Sequence, residues 1–235
     1  MTTFKYFLKN VFHIIFTYGP FDALSFFVNY FRYKKEINLK ISTVKTDFEI
    51  NNPGENFNKY LDTNYWIFEN LKRLYSLNLH KKNSQLILDL GAGAGYFAYL
   101  CKKYGHNVTA LDMDNNSMYN SIIELLEINR INHKISFEQN LPLPEKLKFD
   151  LVTAFMICFN NHKQDNLWHI EEWDWLLKYL FRHLQPDGKI FLSFNEESKL
   201  NPIDKNLYNH FKKYDHIVDR LEFLITAQEK NSFKN

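Results

Sequence analysis

The residues of this chain best disposed for chemistry lie in the run Leu88-Asp89-Leu90-Gly91-Ala92-Gly93-Ala94-Gly95-Tyr96. Three glycines at alternate positions let a backbone turn sharply and approach a ligand with no Cβ in the way. The acid just ahead of the turn narrows the choice of ligand. Asp89 would repel the pyrophosphate of a dinucleotide. Tyr96 also stands where the dinucleotide fingerprint calls for Gly or Ala. Both residues argue against a dinucleotide oxidoreductase, and the acid favours a cationic ligand without phosphate. Asp112, about twenty residues beyond the glycines, suits the acid that accepts hydrogen bonds from both hydroxyls of a ribose, and Asp114 is the fallback.

These groups need a strand–turn–helix frame, and the sequence supplies one. Residues 85–90 are a short apolar run entering the glycine turn, which reads as a buried strand. Residues 96–104 read as a helix stopped by Gly105. Residues 107–112 are the second strand, and 118–128 the second helix, with Asn115 or Asn116 as its cap. A short third strand is expected over 134–138 and a fourth over 149–155. The apolar positions Trp173, Leu176, Leu177, Leu180, Phe181 and Leu184 follow a 3.6-residue period and predict a helix over 171–184. Pro186-Asp187-Gly188 turns the chain into a fifth strand, 189–194. A helix is expected over 204–214, and one strand or a strand pair over 217–226. Such alternation predicts an α/β fold: a Rossmann-like α/β/α sandwich on a mostly parallel sheet, with ligands at the carboxyl ends of the strands.

Residues 86–194 resemble the class I S-adenosylmethionine (SAM)-dependent methyltransferases. Residues 87–95 are similar to the first motif of that family, 108–112 to its second strand with the ribose acid, and 149–152 to its fourth-strand motif. Residues 184–191 resemble its Leu-Lys-Pro-Gly-Gly turn and fifth strand, with Gln185 and Asp187 as departures. The resemblance implies SAM as cofactor. SAM carries an ammonium and a sulfonium and no phosphate, which suits an acid at position 89. On the family pattern Asp89 and the backbone of Gly91, Ala92, Gly93 and Gly95 bind its methionine part. Asp112 holds the ribose, Met113 packs beside the adenine, and Gln139 and Asn140 meet the adenine edge. Tyr60 and Trp66, in the aromatic helix 58–77, are expected to help enclose it.

Methyl transfer by in-line displacement needs alignment and exclusion of water, and an oxygen or nitrogen nucleophile also needs a base. The loop after the fourth strand is the expected acceptor side. His162 is the candidate base there, with Asn160, Asn161 and Trp168 as candidate substrate contacts. Trp175, also off the apolar face of its helix, could line the same pocket. Asn195, Glu196 and Glu197 follow the fifth strand at the same edge. Asp112, Asp114 and His162 have no recognised ligand spacing, so no metal is expected.

The chain has 235 residues, 45% of them hydrophobic and 17% aromatic, and a formal net charge of +2. That charge gives no reason to expect nucleic acid as a partner. Two cysteines, Cys101 and Cys158, make neither a disulfide framework nor a zinc site and are expected as reduced thiols in a cytoplasmic protein. Residues 1–45 are aromatic and basic. They hold Lys5, Lys9, Arg32, Lys34, Lys35, Lys40 and Lys45 against Asp22 and Glu36 alone. Two helices broken at Gly19-Pro20 are expected, as a cap, a lid over the acceptor pocket or a patch resting on a membrane surface. The expected organisation is this extension, a connector and helix over 46–84, and a SAM-binding domain over 85–235. The expected acceptor is a small molecule or lipid-like. The competing expectation is a non-catalytic SAM-fold protein that binds for regulation.

Overall fold

The computed structural model describes residues 2–51, 58–157, 159, 167–194, 205–213, 217–219 and 221–228. The chain opens with a long helix, α1 (Thr2–Asn51), then α2 (Asn58–Leu61) and α3 (Thr63–Ser76). The alternating part follows as β1 (Leu86–Leu90), α4 (Tyr96–Lys103), β2 (Asn107–Asp112), α5 (Ser117–Leu125) and β3 (Arg130–Asn132). It continues with β4 (Phe149–Ile157), α6 (Ile170–Phe181), β5 (Leu184–Phe194), α7 (Lys205–Phe211), β6 (Ile217–Asp219) and β7 (Glu222–Thr226).

The strands form one sheet in the order β3-β2-β1-β4-β5-β7-β6. Strands β1 to β5 pair parallel, while β7 runs antiparallel to both β5 and β6. The strand order reverses between β1 and β4, the place where sheets of this kind bind ligands at the carboxyl ends of parallel strands. Period-two alternation sorts the side chains to two faces. Ile87, Val108, Ala110, Leu151, Phe155 and Phe191 pack toward α1, α3, α4 and α5. Leu88, Leu90, Leu111, Val152, Ala154, Ile190 and Leu192 pack toward α6 and α7, where Trp173 and Phe211 are fully buried.

Helix starts follow local hydrogen bonding. Asp62 caps α3 by accepting from the Asn64 and Tyr65 amides at 3.1 and 3.2 Å. Asn116 caps α5 by accepting from the Tyr119 amide at 3.0 Å. The Glu172 carboxylate accepts from the His169 amide at 2.8 Å at the start of α6.

Three elements depart from the sequence reading. The third strand is Arg130–Asn132, paired with Ala110–Asp112, and not 134–138. Ile135 and Phe137 alternate like a strand but bury only their side chains, Ile135 against the core and Phe137 on Trp175 at 6.0 Å. Their backbone turns, with Glu138 at φ 59° and the Gln139 amide donating to the Ser136 carbonyl. Helix α6 stops at Phe181, so Leu184 begins β5 and pairs with Phe149. The Pro186-Asp187-Gly188 turn is thereby a register shift inside β5 and not its start.

Helix α1 kinks at Gly19 (φ 80°, ψ 167°), next to Pro20, where the break was expected. Its inner face buries Ile14, Ala23, Phe26, Tyr30, Tyr33, Ile37 and Ile41. The Tyr18 and Tyr30 hydroxyls donate to the Lys72 and Asn64 carbonyls at 3.3 and 3.4 Å, fastening α1 to the ends of α3.

A Cβ on Gly188 would lie 2.9 Å from the Phe149 carbonyl oxygen and 3.0 Å from the Gln185 backbone. Backbone atoms of two paired strands cannot step aside cheaply. Gly188→Ala is therefore expected to cost about 1–3 kcal/mol, read as a lowered urea midpoint with unchanged m-value. An unchanged midpoint would refute the tight turn.

Candidate cofactor site

The glycine loop joins β1 to α4 at the β1/β4 reversal. Gly91, Gly93 and Gly95 all take positive φ, at 67°, 54° and 75°. At Gly91 a Cβ would meet nothing within 4 Å, so the loop is open on that side. At Gly95 a Cβ would come within 3.2 Å of Ile123 and 3.3 Å of Ile128, so this glycine lets α4 approach α5.

Asp89 sits under the loop, 2% exposed, and its Oδ1 accepts from the Thr153 hydroxyl at 2.7 Å. Thr153 is its register partner on β4. Burial pushes the Asp89 carboxyl up to about 7, against the Thr153 hydrogen bond and the positive field of Arg73, which pull it down. Arg73, on α3, donates to Asn70 Oδ1 at 2.8 Å and lies 4.6 Å from the centre of the Phe155 ring. Burial pulls its guanidinium downward, opposed first by Asp89, but an arginine stays charged. The site thus holds a desolvated acid within the field of a cation, and no ion pair closes on Asp89 among the described residues.

Asp112, at the end of β2, has a role in the loop itself. Its Oδ2 accepts from the Gly93 amide and its Oδ1 from the Met113 amide, both at 2.7 Å. The carboxylate therefore ties the glycine loop to β2, and each oxygen keeps acceptor capacity for a ligand hydroxyl. Tyr119 reaches within 3.9 Å of where a Gly93 Cβ would be. From there an aromatic wall leads through Tyr60, edge-on to Tyr119 at 5.0 Å, to Trp66, stacked on it at 6.1 Å. Trp66 stacks in turn on Tyr96 at 6.3 Å, and the Tyr96 hydroxyl donates to the Tyr60 carbonyl at 2.9 Å.

The structure brings Asp89, Gly91, Ala92, Gly93, Gly95, Asp112 and Met113 together, with Tyr60 and Trp66 alongside. Gln139 and Asn140 lie exposed in the loop after β3, which starts beside Asp112 where the His133 amide donates to the Asp112 carbonyl at 3.0 Å. Trp168 stacks on Phe159 at 3.9 Å and stands edge-on to Trp173 at 5.4 Å, at the lip of the second core. Trp175 is half-buried and stacks on Tyr179 at 6.2 Å. Asn160, Asn161 and His162 lie outside the described residues, as do Cys158, Asn195, Glu196 and Glu197. Sequence reasoning missed Thr153 and Arg73. Thr153 is the one hydroxyl in the run 149–155, and Arg73 falls beside the buried positions Asn70, Leu71 and Leu74 of its helix.

A family described as "Methyltransferase domain" matches residues 62–229, and this chain belongs to it. No curated protein matches the sequence. Among solved structures, the SAM-bound amino pentose methyltransferase CalS10 from Micromonospora echinaspora is 19% identical. That match covers 55% of this chain and 51% of CalS10, about half its length, with a TM-score of 0.42. A methyltransferase from Pyrococcus furiosus is 16% identical over 68% of this chain and 84% of its own, with a TM-score of 0.47. The glycopeptide N-methyltransferase MtfA is 19% identical over 56% and 60%, with a TM-score of 0.39.

The donor set fits SAM. A buried acid suits an ammonium, an acid at the end of β2 suits a ribose diol, and the loop is open at Gly91. Two outcomes are expected from calorimetric titration with SAM. Pairing with the ammonium needs Asp89 ionised, so affinity should fall about tenfold for each pH unit below 7. It should also fall above about pH 8, where an α-amino group loses its charge. Flat affinity from pH 5 to 7 would remove Asp89 from the site. In the ligand-free protein the sign is opposite. The folded chain holds a proton on Asp89 that the unfolded chain releases near 3.8, so stability declines as pH rises from there to about 7. Asp89→Asn should therefore abolish SAM binding while keeping or raising the melting temperature at pH 8.

Proposed function

We propose that this protein transfers the methyl group of SAM to a small, apolar or lipid-like acceptor in the cytoplasm. The observation that carries this reading is the buried Asp89 carboxyl beneath an open glycine loop, a site whose electrostatics call for a bound cation. When bound, SAM supplies a methyl group already activated by its positive sulfur.

The chain's own residues hold and orient. Asp89 takes the ammonium, and Arg73, whose field reaches Asp89, takes the carboxylate of the same amino-acid end. Asp112 takes the ribose hydroxyls while keeping the Gly93 and Met113 amides in place. Met113 packs beside the adenine, and Gln139 and Asn140 meet its edge. The Tyr60–Trp66–Tyr96 wall keeps water from the loop, which favours displacement at a charged centre. On the acceptor side, His162 serves as base for an oxygen or nitrogen nucleophile, and Asn160, Asn161 and Trp168 contact the acceptor. The aromatic-rich N-terminal segment, with little net charge on the chain, supports an apolar acceptor over a nucleic acid.

The test is formation of S-adenosylhomocysteine from SAM across a panel of small amines, phenols and lipid-like acceptors. Turnover with at least one acceptor is expected. Asp112→Ala should weaken SAM binding about tenfold or more, and lower the melting temperature as well because it frees the loop amides. His162→Ala should lower kcat by about 10²–10⁴-fold with little change in KM for SAM. Tight SAM binding with no turnover on any acceptor would assign the chain to regulatory binding instead.

A further inference from the structure

Helix α1 carries a second apolar face that the domain does not use. On its inner side Phe26, Tyr30, Tyr33 and Ile37 are buried. On the opposite side Phe21, Leu24, Val28, Phe31 and Leu39 recur every three, four or, across Lys35, eight residues, and all are exposed. Phe12, Ile15 and Phe16 extend the apolar surface before the kink, and Phe16 and Phe21 are 84% and 87% exposed. Of the large hydrophobic residues exposed among the described residues, most belong to this one helix. A contiguous patch of this kind marks a surface that meets another phase or partner.

The charges around the face select the occupant. Phe31, Leu39, Lys34, Lys35, Asn38 and Ser42 line a shallow groove, joining apolar side chains to two ammonium groups. Arg32 is exposed beside it. The two acids of residues 1–45 are both engaged within the protein. Asp22 pairs with Lys81, and Glu36 with Lys103 at 2.5 Å. The face therefore offers apolar and cationic groups with no free acid, which is complementary to an anionic lipid surface. A second copy would bring the same cations to the interface. A membrane-spanning role would strip the inner face from α3, since buried residues run from Ile14 to Ile41.

We propose that the outer face of α1 docks flat on an anionic bilayer, with Phe16, Phe21, Leu24, Val28 and Phe31 in the acyl boundary and Lys34 and Lys35 on the headgroups. The domain stays in water on the other side of the helix. The interaction does not depend on bound SAM.

Flotation of the full-length protein with vesicles tests this. Vesicles of phosphatidylcholine alone are compared with vesicles containing phosphatidylglycerol at about one-third. Binding is expected on the anionic vesicles and should weaken with salt. Lys34→Gln and Lys35→Gln should each reduce it roughly five-fold. Phe16→Ser with Phe21→Ser should abolish it while leaving circular dichroism and SAM binding unchanged, because both side chains are exposed. No flotation of the folded protein would overturn the proposal, and so would equal binding to neutral vesicles. A concentration-dependent dimer in light scattering, lost in the Phe16→Ser/Phe21→Ser variant and unaccompanied by flotation, would give the face to a second copy.

Discussion

A carboxyl group buried under a sharp turn is expensive, and the architecture around Asp89 is organised by that cost. An isolated ionised acid in an apolar interior is disfavoured by far more than one hydrogen bond returns. This chain answers with a hydroxyl from the next strand, a guanidinium from α3 that stays near without closing an ion pair, and a proton held to about pH 7. Each answer constrains an element. Thr153 must face the same side of the sheet as Asp89, which the parallel register of β1 and β4 secures. Arg73 must come over Phe155, which fixes the rotation of α3. Helix α3 is in turn held by α1, so the long N-terminal helix belongs to the support of the pocket.

The glycine loop shows how one side chain can serve scaffold and ligand together. Asp112 accepts two backbone amides at 2.7 Å, and so sets the loop before any ligand arrives. A site prepared in this way loses less entropy on binding. In the proposed mode it would also couple the ribose end to the methionine end, because displacing Asp112 displaces the amide of Gly93.

Much of this was legible in the sequence because it is local. The run from Leu86 to Tyr96 states its strand, turn and helix in consecutive residues, and Asn116 marks the start of α5 through its side chain. The elements that were misread or missed are defined by distant partners. Residues 134–138 have the alternation of a strand, yet the ladder with β2 is made by Arg130–Asn132, and periodicity does not reveal which backbone finds a partner. Thr153 matters because of a residue 64 positions away, and Arg73 because α3 lies across the sheet. Helix α1 was hard for another reason. A helix apolar on two opposite faces has little amphipathic signal, so the sequence shows abundance of aromatic residues without showing that only half are used within the fold.

In the proposed binding mode Asp89, Arg73 and Asp112 would grip the parts of the cofactor that lie away from its sulfur. Giving up a methyl group leaves that amino-acid end and that ribose unchanged. The spent molecule would thus be held by the same three side chains nearly as firmly as the fresh one. An enzyme anchored in this way is inhibited by its own by-product, and its pace in a cell would follow the ratio of charged to discharged cofactor more closely than the amount of either.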